Sequence, residues 1–179
     1  MQTFETELSR NIGRSQFREK GQQMPDVLQP GDAAPDFTLP RDGGGVVSLA
    51  DFKGKALVLY FYPKDDTSGC TAEAIDFNKL AGDFASSNAA VVGVSPDPVK
   101  AHDKFRDKYE LAFPLLADET KKVLEAYGVW VEKSMYGRKY MGVERSTFLI
   151  AADGRIARIW RKVKVPGHAQ EVLAAAKAL

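Results

Sequence analysis

The sequence is short of thiols: Cys70 is the only cysteine among 179 residues. A single thiol cannot close an intramolecular disulfide or build a cysteine-rich zinc site, so neither a disulfide framework nor a zinc ribbon is open to this chain. That scarcity fits a reducing cytosol, and the expected location is cytoplasmic. Charge of one sign is not in excess either. With 25 basic and 24 acidic residues and no run of like charges, there is no electrostatic ground for expecting nucleic acid or an anionic membrane as partner, and the substrate should be small or neutral. Long apolar runs are missing. Nothing in the chain is long enough to span a bilayer, and "MQTFETELSRNIGRSQFREKGQQMPDVLQPG" holds no apolar stretch able to serve as a signal-peptide core. In that segment Arg10, Arg14, Arg18 and Lys20 are mixed with Glu5, Glu7 and Glu19, unlike the acid-poor composition of an organelle transit peptide. Internal repeats and low-complexity tracts are absent as well.

What remains is the composition of one ordinary domain, long enough to bury a core without staples. Residues 1–28 read as a polar arm, briefly helical at most, and Met24-Pro25 and Pro30-Gly31 mark the passage into a domain over residues 29–179. From there apolar runs alternate with segments of helical spacing, the pattern of an α/β sheet flanked by helices on both sides. "PDFTLP" and "VVSL" flank "RDGGG" and predict a hairpin; a phosphate-cradling reading of those glycines fails because no Lys-Ser/Thr and no long helix follow. "KALVLYFY" at 55–62 and "AAVVGVS" at 89–95 are continuous enough to be buried on both faces, and "STFLIAADGRIARIWR" reads as two strands joined at Asp153-Gly154. Helices are expected over Thr71–Ala85, Val99–Tyr109, Glu119–Tyr127 and from His168 to Leu179, with Asp97-Pro98 and Asp118 offering cap oxygens and Gly167 breaking the preceding strand.

Cys70 lies where "KALVLYFY" gives way, past Pro63 and the polar turn "KDDTSG", to a helix beginning near Thr67 to Thr71. A first helical turn has unpaired N–H groups and the positive end of the dipole, both of which favour a nucleophilic thiolate. The local chemistry alone leaves open a cysteine that is merely packed beneath a loop.

Pro63, Thr67 and Cys70 together fit the Pro-x-x-x-Thr/Ser-x-x-Cys signature of the peroxiredoxins. "FYPKDDTSGCTAEAIDF" resembles the peroxiredoxin Q, or bacterioferritin comigratory protein, subfamily. So do "GDAAPDFTLP", "VVGVSPDPVKAHDKF", "FPLLADET", "YGVW", "RSTFLIAADGRI" and "WRKVKVPGHAQEVL", and the resemblance spans about residues 29–179. It implies a thioredoxin-like fold with a central mixed sheet and an N-terminal β-hairpin. It further implies a thiol peroxidase that reduces hydrogen peroxide and organic hydroperoxides without metal, flavin or haem. By the same resemblance Cys70 is the peroxidatic cysteine, and Thr67 supplies the hydroxyl that hydrogen-bonds the thiolate and the peroxide while also serving as a helix cap. Pro63 shields the pocket from water as well as ending a strand. Arg145, just before "STFLI", stands at the family's active-site arginine and supplies charge and fixed donors to the breaking O–O bond. Glu73, one helical turn beyond Cys70, matches an acidic position that orients that arginine, although an exposed helix carboxylate is an equal reading. Arg138, Arg155, Arg158 and Arg161 read as solvated charge, and His102 and His168, beside helix starts, as surface histidines.

One departure changes the expected mechanism. Many members of the subfamily carry a resolving cysteine five residues after the peroxidatic one, where this chain has Ile75, and no later cysteine replaces it. The sulfenic acid on Cys70 must then be resolved by an external thiol from thioredoxin, glutaredoxin or glutathione, reached by unwinding a first helical turn that Gly69 weakens. Two rivals remain. A dithiol oxidoreductase would need Cys-x-x-Cys where "TSGC" stands, and a non-enzymatic peroxide sensor or holdase would keep the fold and use the thiol only to register oxidation. A monomer or weak dimer is expected from the balanced charge and the lack of an obvious second apolar face.

Overall fold

In the computed structural model, which describes residues 27–179, the chain folds around one mixed sheet. The polar-arm reading of residues 1–28 falls almost wholly outside that range. The first elements are short: β1 (Thr38–Pro40) and β2 (Val46–Ser48) pair antiparallel as the expected hairpin, with Leu39 facing Val47. Between them Gly43, Gly44 and Gly45 all adopt positive φ, conformations that a side chain would resist. A 3-10 turn at Leu49–Phe52 leads to β3 (Ala56–Phe61). Then follow α1 (Ser68–Lys79), α2 (Ala81–Ser86), β4 (Ala89–Ser95), α3 (Val99–Tyr109), β5 (Leu115–Ala117) and α4 (Lys122–Ala126). The chain closes with β6 (Trp130–Met135), β7 (Arg138–Val143), β8 (Ser146–Ile150), β9 (Ile156–Trp160) and α5 (His168–Lys177).

The five-stranded sheet has the order β5-β4-β3-β8-β9. β3 pairs parallel with β4 and antiparallel with β8, which makes the sheet mixed and puts β3 at its centre. All six residues of β3 are buried, because both faces are covered and an alternating pattern would waste one of them. Val58 and Tyr60 face a layer built on Phe77 of α1, Phe84 of α2, Phe105 of α3 and Val172 of α5. Leu57, Leu59 and Phe61 face the other way, onto Leu124 of α4, Tyr127, Phe148 and the hairpin residues Leu39 and Val47. No helix among the described residues is long and apolar enough to cross a membrane.

Several boundaries differ from those read in the sequence. The helix expected over Thr71–Ala85 starts earlier, at Ser68, and breaks at Leu80 into α1 and α2. Just before the break Asn78 is tied to the end of α3, donating to the carbonyl of Glu110 and accepting from the amide of Ala112. α4 is shorter than Glu119–Tyr127, since Lys121 takes a left-handed φ of 61°, but Asp118 does accept from the amide of Leu124, 2.8 Å away. Asp97 does not cap α3; its carboxylate is engaged elsewhere, by the amide of Asp65 and the hydroxyl of Ser95. Two features escaped the sequence reading: the short strand β5, and the separate hairpin of β6 and β7, which turns on Tyr136 and Gly137, both at positive φ. That hairpin exposes Met135, Tyr136, Tyr140 and Met141, so the premise that no second apolar face exists does not hold.

Candidate active site

The site forms where β3 ends. Phe61 pairs with Ser146 at the last rung of β3 and β8, so the residue before Ser146, Arg145, projects beside the point at which the chain leaves β3 for α1. Sheet register alone therefore brings together residues 75 positions apart: Arg145 Nη2 donates to Cys70 Sγ at 3.3 Å. Two further bonds steady the backbone there, from the amide of Val163 to the carbonyl of Arg145 and from the amide of Glu144 to the carbonyl of Val129.

Cys70 is the third residue of α1 and is 2% exposed. Glu73, three residues on, shares its helix face. It is buried, not the exposed carboxylate that was the alternative reading, and accepts from Arg145 Nη1 at 2.8 Å. Burial drives the Glu73 carboxyl up to about 7 against the pull of Arg145. Burial also works against the charge of Arg145, yet Glu73 and Cys70 outweigh it and hold the guanidinium above its ordinary value. A cation is thus fixed against the sulfur by a carboxylate on the same helix face. Such a pair can compensate negative charge on sulfur and on an oxygen departing from it.

Thr67 occupies the N-cap position of α1, but its hydroxyl caps nothing; it donates to the carbonyl of Lys64 at 2.8 Å and makes no bond to the sulfur. The first-turn N–H groups are accordingly left without a side-chain acceptor from Thr67. Pro63 is half-buried at the start of the connecting loop, after Tyr62 makes the last sheet bond to the carbonyl of Val94 at 3.1 Å. Arg158 is elsewhere, paired with Glu171 and stacked on Trp160, while Arg161 lies over the ring of Phe148.

Both histidine readings need correction. His102 is fully buried, with Nδ1 2.6 Å from Asp65 Oδ2 and Nε2 2.9 Å from the carbonyl of Leu116. His168 is buried too, 2.8 Å from the Thr147 hydroxyl and edge-on to Phe77 and Trp160, and burial lowers it to about 4. Polar neighbours in sequence misled; the usable signal was spacing, since His102 precedes the core residue Phe105 by one helical turn.

Two contributors were missed. A Cβ on Gly69 would sit 3.1 Å from Arg145 Nη2, so glycine before the cysteine also gives the guanidinium room to approach, beyond its effect on helix nucleation. Lys133, delivered by the unforeseen β6–β7 hairpin, is a partly buried cation that feels the site's charge; burial first, then Arg145, lowers its pKa.

The AhpC/TSA family model matches residues 30–159. The peroxiredoxin Bcp of Bacillus subtilis (strain 168) is 50% identical over 147 residues, covering 82% of this chain and 94% of its own. Among solved structures, peroxiredoxin Q of Xanthomonas campestris matches with a TM-score of 0.79 at 48% identity, covering 85% of this chain and 96% of that one. A second structure, which concerns the alkyl peroxide reduction activity of the Xanthomonas campestris bacterioferritin comigratory protein, matches with a TM-score of 0.79 at 47% identity, over 85% and 97% of the two chains.

Proposed function

Because this chain belongs to the AhpC/TSA family, in its peroxiredoxin Bcp group, we propose that it reduces hydrogen peroxide and organic hydroperoxides by a one-cysteine cycle at Cys70. The observation that carries the reading is the donation from Arg145 Nη2 to the sulfur of the only cysteine, at 3.3 Å. The Cys70 thiolate attacks one peroxide oxygen, an S–O bond forms and the O–O bond breaks. The departing oxygen takes a proton and leaves as water or alcohol, and Cys70 is left as a sulfenic acid. Arg145 holds the sulfur and stabilises the charge that shifts onto the leaving oxygen, and Glu73 fixes the plane of that guanidinium. Thr67 turns its hydroxyl from the Lys64 carbonyl toward the thiolate and the bound peroxide. Pro63 keeps water out of the loop side of the site.

With Ile75 in place of a resolving thiol, an external thiol of glutathione, glutaredoxin or thioredoxin attacks the sulfenic sulfur. Water leaves, and a mixed disulfide remains for a second thiol to reduce. Those reductants suit a cytoplasmic setting. The test is peroxide consumption by the purified chain with each reductant in turn: turnover is expected with at least one and is lost in Cys70→Ser. Oxidation of Cys70 once per chain with no turnover under any reductant would favour a sensor over an enzyme.

A further inference from the structure

The backbone of the loop that delivers the nucleophile bonds only to side chains among the described residues: the Asp65 amide donates to Asp97 and the Lys64 carbonyl accepts from the Thr67 hydroxyl. Tyr62 closes the sheet with its bond to Val94, the amide of Thr71 opens α1 by donating to the carbonyl of Thr67, and residues 63–66 between them make no backbone–backbone hydrogen bond among the described residues. Pro63 has no N–H to offer, and Asp66 holds a left-handed φ of 57°, a conformation that needs support from elsewhere. Side chains alone therefore decide where this segment, and with it the start of α1, comes to rest.

We propose that Tyr62, Asp65 and His102 form a buried clamp that positions the Cys70 loop and sets how readily the first turn of α1 opens to an incoming thiol. Asp65 is the centre of the clamp. Its Oδ1 accepts from the Tyr62 hydroxyl at 2.6 Å, and its Oδ2 lies 2.6 Å from His102 Nδ1. Its amide donates at 2.9 Å to Asp97 Oδ2, which also accepts from the Ser95 hydroxyl at 2.6 Å. The other His102 nitrogen is committed to the Leu116 carbonyl on β5, 2.9 Å away, so the ring ties the loop to α3 and β5 together. His102 is 0% exposed and Tyr62 1%. In that setting each lost bond leaves a buried polar group without a partner, which costs far more than losing a bond at the surface. The neighbouring Asp66 makes the contrasting case: it pairs with Lys108 at 2.9 Å, but both side chains are about half exposed, where such pairs contribute little. Among the described residues none of Tyr62, Asp65 and His102 hydrogen-bonds to the sulfur, which accepts from Arg145; they act through the loop.

The inference rests on the peroxidase reading, because only a buried sulfenic acid that waits for an outside thiol makes opening of this turn matter. Three measurements on the full chain separate it from that reading: the rate of Cys70 oxidation by hydrogen peroxide, the rate at which glutathione then resolves the sulfenic acid, and amide hydrogen exchange over residues 67–72. Tyr62→Phe keeps the ring and removes one hydroxyl, and His102→Gln removes one of the two ring contacts. Each is expected to raise exchange in the first turn of α1 roughly three- to tenfold, the size of one net hydrogen bond. Each should also slow oxidation and speed resolution, so the two rates move in opposite directions. Asp65→Asn, which keeps an acceptor for Tyr62, should fall between the wild type and Asp65→Ala. Lys108→Ala should leave all three measurements within about twofold. The proposal is overturned if oxidation and resolution fall together, if exchange rises throughout the protein instead of in this turn, or if Lys108→Ala matches His102→Gln. A wild-type Cys70 that ignores peroxide would defeat the peroxidase reading, while the exchange comparison would still decide the clamp.

Discussion

At the scale of single residues the account depends on Arg145 and Glu73. Arg145→Ala removes a donor aimed at the reacting atoms and is expected to slow Cys70 oxidation roughly 10²–10³-fold, the cost typical of losing one preorganised donor, with the fold retained by circular dichroism. Full activity in a folded variant would remove Arg145 from the mechanism. Glu73 carries a pH signature. Its ordinary value is 4.5 and burial in the folded chain lifts it to about 7, so between those values the folded state holds a proton that the unfolded chain has released. Linkage then requires stability to fall as pH rises through that window. Denaturant unfolding at pH 5 and pH 8 should show the wild type losing stability relative to Glu73→Gln over that interval, and parallel profiles would contradict it. Motif and position single out these two residues together with Cys70, Thr67 and Pro63; the structure joins Arg145 to both Cys70 and Glu73 but turns the Thr67 hydroxyl to the Lys64 carbonyl. Whether Glu73 is buried or exposed is not legible in the motif, because the answer depends on Arg145 arriving from the β7–β8 connection, 72 residues away.

At the scale of elements, what was legible followed burial on two faces. β3 and β4 are continuous apolar runs, and β8 and β9 are joined through Gly154 at a φ of 85°, so all four could be bounded closely. The β6–β7 hairpin was not foreseen because it lies outside the main sheet and exposes Met135, Tyr140 and Met141, leaving no clean alternation to read. The buried histidines were misjudged for a related reason: tertiary partners, Asp65 for His102 and Thr147 for His168, are invisible in local polarity. α1 itself supplies the next prediction. Ile75 sits five residues past Cys70 on one continuous helix, a separation of about 8 Å between Cα atoms and too far for a disulfide. An Ile75→Cys variant should therefore form an internal disulfide after peroxide only if the first turn unwinds. Non-reducing peptide mapping is expected to find that disulfide, since attack by an outside thiol needs the same opening, and persistent free thiol with a sulfenic acid on Cys70 would contradict it.

At the scale of the whole molecule, the chain that buries Cys70 leaves an apolar strip on the separate β6–β7 hairpin, with Tyr136 97% exposed. Light scattering over a dilution series should give a monomer, or a dimer that dissociates on dilution; a stable decamer would show that the assembly has been misjudged. The central claim is that one buried cysteine performs the whole cycle with a borrowed thiol. Intact-mass spectrometry tests it most directly, on protein given one equivalent of hydrogen peroxide and then glutathione. The predicted record is a single added oxygen on Cys70, replaced by a glutathione adduct that further glutathione removes. A Cys70 that stays unmodified while peroxide persists, or an added oxygen that glutathione never displaces, would contradict the account.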